Sequence, residues 1–166
     1  MKLAMAERLN KITQRIGFTL WQLQELEGIA ARVFVLMGQS QKGMGMAAGE
    51  GLIEKAMSKT FGSTIHQMTS AGLLSNSIEK RLVALLQERN WLVHKSRAGS
   101  RNAIYSDDVS ALLLRRLDSI CDECLALMKD LGAIAEKFVK KNGVSEGQIQ
   151  EIAERLLEQW HRADAI

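Results

Sequence analysis

Residues 3–37, LAMAERLNKITQRIGFTLWQLQELEGIAARVFVLM, decide the fold class. Apolar side chains return every seven residues at Leu9, Ile16, Leu23, Ala30 and Met37, with Ile12, Leu20, Leu26 and Val33 between them. That period draws one stripe along a single long amphipathic helix. Its spacing suits packing against other long helices at a shallow angle, within a bundle or between two copies.

The rest of the chain reads the same way. Proline is absent, and the residues that lose least on entering a helix dominate. Gly38, Gly43, Gly45, Gly49 and Gly51 mark a glycine-rich loop over 38–51, with short helical segments expected at Leu52–Lys59 and Gly62–Ala71. Ser75 or Ser77 can cap the next helix, which runs to about Lys95, and the small, polar stretch Arg97–Tyr105 reads as a loop. Ser106, Asp107 and Asp108 open a second long helix. Its stripe is Val109, Leu113, Leu117, Ile120, Cys124, Met128, Leu131 and Phe138, and Asn142 and Gly143 end it. Ser145 and Gln148 form a capping box for a last helix to about His161. The expectation is one all-α domain over 1–166, a four- to five-helix up-and-down bundle with two long helices.

Composition narrows the function classes without naming one. Apolar residues make up 46% and charged residues 25%, as in a globular domain rather than a disordered chain. The net charge of +3 and pI near 9.0 tolerate an anionic partner. Glu7 and Arg8 interrupt the N-terminal apolar residues before a signal peptide can form, and no stretch reaches the roughly 18 apolar residues of a membrane span. A cytoplasmic location without membrane attachment is expected. Cys121 and Cys124, a single C-x-x-C within a helical stripe, lack the second ligand pair of a zinc site and the strand context of a redox motif. Cys124 is expected in the core. Gly43–Ala48 only loosely echoes a dinucleotide fingerprint, since no strand precedes it. His66 and His161 have no companions at ligand spacing, and Trp21, Trp91 and Trp160 are expected as core or interface anchors rather than a stacking platform.

The helix over 77–95 holds the exception. Its apolar face carries Ile78, Leu82, Leu85, Leu86, Leu92 and Val93, with Arg89 in the middle. A guanidinium cannot lose its proton, so something must offset Arg89. Asn90 and His94 stand one turn apart at the edge of this stripe, with Arg97 nearby. A phosphodiester attacked by its own 2′-hydroxyl needs such groups: an imidazole to move protons near neutral pH and a cation for the anionic transition state. An arginine in an apolar stripe also commonly pairs with a carboxylate from another helix, which is the plainer reading.

Arg89-Asn90-Trp91-Leu92-Val93-His94 resembles the R-x(4–6)-H motif of the HEPN superfamily, including the polar residue that commonly follows its arginine. The resemblance implies a helical bundle that dimerises so that two motifs meet in one cleft. Many such proteins are metal-independent endoribonucleases, acting as toxins or in defence and often restrained by a cognate antitoxin or other protein inhibitor; others cleave no RNA. Carried over, it makes Arg89 the phosphate-stabilising residue, His94 the proton-transfer residue and Asn90 the residue that orients one of them or the RNA, with no metal or other cofactor. Lys95, Arg97 and Arg101 are candidate RNA contacts on charge and position alone. One branch of the family often carries a tyrosine two positions after the histidine. Ser96 stands there, and Tyr105 is too far along the chain to replace it.

Overall fold

The computed structural model describes the backbone of residues 2–163 and the side chains of residues 2–158. Readings of Trp160 and His161 lie outside the described side chains. Among the described residues the protein is all-α, with α1 Lys2–Gly38, α2 Met46–Met57, α3 Phe61–Ser70, α4 Asn76–His94, α5 Ser96–Gly99, α6 Asp107–Lys141 and α7 Glu146–Ala163. A 3₁₀ turn, Arg101–Ile104, separates α5 from α6. Seven α-helices replace the four or five expected. The chain groups into two compact units, Met1–Leu131 and Gly132–Ile166.

Two stretches depart from the sequence reading, one by lengthening a helix and one by adding one. The glycine-rich loop is shorter than 38–51, because α2 begins at Met46 and takes in Gly49 and Gly51. Ala47 and Ala48 favour the helix, Gly49 closes its first turn onto the Gly45 carbonyl, and burial of Ala56 holds the far end. The stretch Arg97–Tyr105 is not an open loop but α5 followed by the 3₁₀ turn. Its small residues let it fold tightly: Ser96 is buried with its hydroxyl on the Leu92 carbonyl, and Ala103 is fully buried.

The caps follow the sequence. Ser75 accepts a hydrogen bond from the Ile78 amide, Ser106 accepts one from Val109, and Ser145 and Gln148 bond reciprocally. Gly143, at φ 89, lets the chain reverse after α6 so that the Val144 amide reaches the Val139 carbonyl.

The core of the first unit takes in part of the predicted stripes, with Met68 and Leu127 added to them and Leu9 left exposed at 49%. Leu23 and Leu26 of α1, Met68 of α3, Leu82 of α4, and Leu117, Leu127 and Leu131 of α6 are fully buried, each contributing about 1.5–3 kcal/mol of apolar transfer. Gly62 brings α3 close to α4: a Cβ there would stand 3.2 Å from Leu86. Thr19 and Cys121 meet inside at 3.3 Å, joining α1 to α6. Val93 departs from the expected apolar face at 46% exposure. It lies about 100° around the axis from buried Leu92. Trp21 is not a core anchor either, being exposed.

Charged clamps fix α4 to α6. Arg81 bonds Glu123 through two nitrogens and Asp130 through a third, and these carboxylates hold its guanidinium above its ordinary pKa. Arg116 pairs with Glu88 and lies 3.4 Å above the Trp91 ring. In the second unit, Lys140 pairs with Glu136 and Glu146, and α7 exposes Ile152, Leu156 and Leu157.

Candidate functional site

Arg89 lies in the row of α4 that also carries Leu82, Leu85 and Leu92, all of them buried. The guanidinium is offset by Glu27 of α1: Arg89 Nε donates to Glu27 Oε1 at 3.1 Å, with side-chain exposures of 32% and 26%. Arg89 Nη1 also donates to Asn90 Oδ1 at 3.5 Å, a weak contact. A guanidinium offers five N–H donors, so three remain for a ligand.

Arg89 and Asn90 share a cleft of about 450 Å³ whose other walls are Glu27, Leu86, the turn from Ser58 to Thr60 between α2 and α3, and Phe61 and Gly62 at the start of α3. That turn brings in Lys59, whose ammonium bonds Gln67 and adds a second cation to the lining. The local folding is sequence-driven: Thr60 caps α3 by accepting from Ser63, which fixes the turn beside Lys59. The sequence reading missed Glu27 and Lys59. Glu27 had a signal, since it stands four residues after Leu23 and three before Ala30, a carboxylate at the buried stripe of α1 just as Arg89 is a cation in that of α4. Lys59 had none, because only the fold of α2 and α3 brings it there.

His94 does not line this cleft. It occupies the last turn of α4, exposed and with no hydrogen-bond partner among the described residues. Five residues from Arg89 it lies about 140° around the helix, whereas Asn90, four residues away, shares its side more closely. One copy of the chain therefore offers the cation and the imidazole on different sides of α4. Lys95, Arg97 and Arg101 are exposed, and Arg97 and Arg101 line a second cleft against α1.

The arrangement can bind an anion at Arg89 and move a proton at His94. The thiols stand apart from it: Cys121 and Cys124 are free and buried, and burial, reinforced by Cys121 and Glu123, pushes the Cys124 thiol up to about 12. It packs as a small apolar residue. Among the described residues no group of three or more metal-ligating side chains comes together, and no helix is long and apolar enough to cross a membrane. Comparisons with protein-family models, curated proteins and solved structures found no match to this chain.

Proposed function

We propose that this chain is a metal-independent endoribonuclease of HEPN type that acts as a homodimer and serves as a toxin or defence effector restrained by a cognate protein inhibitor. The observation that carries the reading is the state of Arg89. It is anchored through Nε by Glu27 while most of its donors stay free, and Asn90 sits beside it in an open cleft. A cation held from behind and open in front suits a phosphate whose charge grows in the transition state. His94, exposed at the end of the same helix, is available for proton transfer to and from the 2′-hydroxyl and the leaving 5′-oxygen. Since Arg89 and His94 open on different sides of α4, a second copy that brings its own motif alongside supplies the missing group at each phosphate.

The Arg89–Glu27 pair also favours a second reading, a non-catalytic helical bundle that binds a protein partner and uses the pair to hold α4 on α1. Incubating the purified protein with a mixed RNA pool in excess EDTA, beside Arg89→Ala and His94→Ala, separates the two. Cleavage by wild type only, leaving cyclic phosphate ends, is the result expected of the ribonuclease. Intact RNA across many substrates, with both variants differing from wild type only in stability, supports the binding module.

A further inference from the structure

A second cleft, of about 630 Å³, opens between α1 and the short helices after α4, within the usual size range of small-ligand sites of about 300–1,000 Å³. Its apolar lining is Ile12 and Leu113, both buried, with half-buried Ile16 and Ile104 and the exposed Leu9, and Thr13, Ser96 and Ser100 add hydroxyls. Arg97, Arg101 and the exposed Tyr105 stand on the wall opposite α1. Neither arginine has an ion pair or side-chain hydrogen bond among the described residues, as is also true of Arg32 and Arg115, whereas Arg8, Arg15, Arg81, Arg89 and Arg116 are paired.

This wall is fixed rather than loose. Arg8 reaches from α1 to donate Nε to the Ile104 carbonyl at 2.9 Å and Nη1 to Asp107 at 2.6 Å, and Ala103 is fully buried behind it. Arg8 thereby pairs with the Asp107 carboxylate at the start of α6. Between Glu88 and Asp107 the sequence has no acidic residue, while it carries Arg89, Lys95, Arg97 and Arg101. The segment that walls the cleft is therefore basic without an intervening carboxylate, which suits a ligand that carries phosphate charge.

We infer that this cleft is a nucleobase pocket: an unpaired RNA base enters the apolar lining against the Tyr105 ring while its flanking phosphates pair with Arg97 and Arg101. The choice of RNA as the polyanion rests on the ribonuclease reading; the pocket and its chemistry rest on the geometry. Stacking on an aromatic side chain and a cationic groove along the backbone are the two contributions by which proteins hold single strands.

The test uses His94→Ala protein, so that RNA stays whole, and reads the fluorescence anisotropy of a labelled single-stranded RNA beside the same strand with abasic positions. Adding Tyr105→Ala should weaken the base-bearing strand about tenfold and leave the abasic strand unchanged. Adding Arg97→Ala and Arg101→Ala should weaken both and lower the salt slope by about 1 to 1.5. Equal affinity for the two strands, unmoved by Tyr105→Ala, overturns the pocket, as does uptake of decanoate into the cleft without RNA binding. The two proposals fail separately. Base-dependent binding without cleavage by wild type leaves the pocket and removes the ribonuclease, whereas cleavage by wild type with Tyr105→Ala silent in binding does the reverse.

Discussion

Glu27 and Arg89, 62 residues apart in sequence, form the ion pair that allows a cation to stand in an otherwise apolar row of α4. Each is only partly exposed, so the pair is neither a solvated surface bridge nor a sealed core pair.

Its stability contribution should fall accordingly, between the roughly 0.2–1 kcal/mol of exposed pairs and the 3–5 kcal/mol lost on breaking buried ones. Urea denaturation of Glu27→Ala, Arg89→Ala and the double variant should give a coupling energy above about 0.5 kcal/mol. Additive effects would show that the contact does not hold α4 on α1.

His94 offers a contrast, because it is exposed and has no hydrogen-bond partner among the described residues. His94→Ala should melt within about 1 °C of wild type, a surface change well under 0.5 kcal/mol. RNA cleavage should drop by about 10²–10⁴-fold, the usual contribution of a positioned acid or base. Retained cleavage would remove His94 from the mechanism.

Arg81 bridges Glu123 and Asp130 and should respond to salt as well as to mutation. Arg81→Met should cost about 1–2 kcal/mol, the range for charge-assisted bonds discounted for its partial exposure. In molar sodium chloride the gap to wild type should narrow through screening. A gap that ignores salt would assign the loss to packing.

Cys124 makes the alkaline limb of stability diagnostic. Its folded pKa lies above the unfolded value, so the folded state keeps a proton that the unfolded state releases. The contribution is therefore whole below pH 9 and is lost as pH rises from 9.0 toward about 12, at about 1 kcal/mol per pH unit. Cys124→Ala should flatten that part of the curve, and native protein should react with a thiol reagent only slowly until urea is added. Rapid labelling of the native thiols would contradict their burial.

Much of this protein was legible from residue order because helix formation is local. The seven-residue recurrence from Leu9 to Met37 gives α1, Ser75, Ser106 and Ser145 give helix starts, and Gly143 gives an end, since each depends on neighbours within one or two turns. The same locality exposed Arg89 as a misfit in its stripe. The sequence misread 38–51 and 97–105 where glycines and small polar residues suit either loops or tight helical turns, and burial of Ala56, Ser96 and Ala103 decided for the helix.

What tertiary structure alone decided is which distant groups share a surface. Glu27 beneath Arg89, Lys59 across the cleft, and Arg97 and Arg101 facing the apolar side of α1 depend on how helices cross and which faces they bury. No periodicity along one helix carries that information, because a crossing joins two stripes at a point chosen by the packing of the whole core.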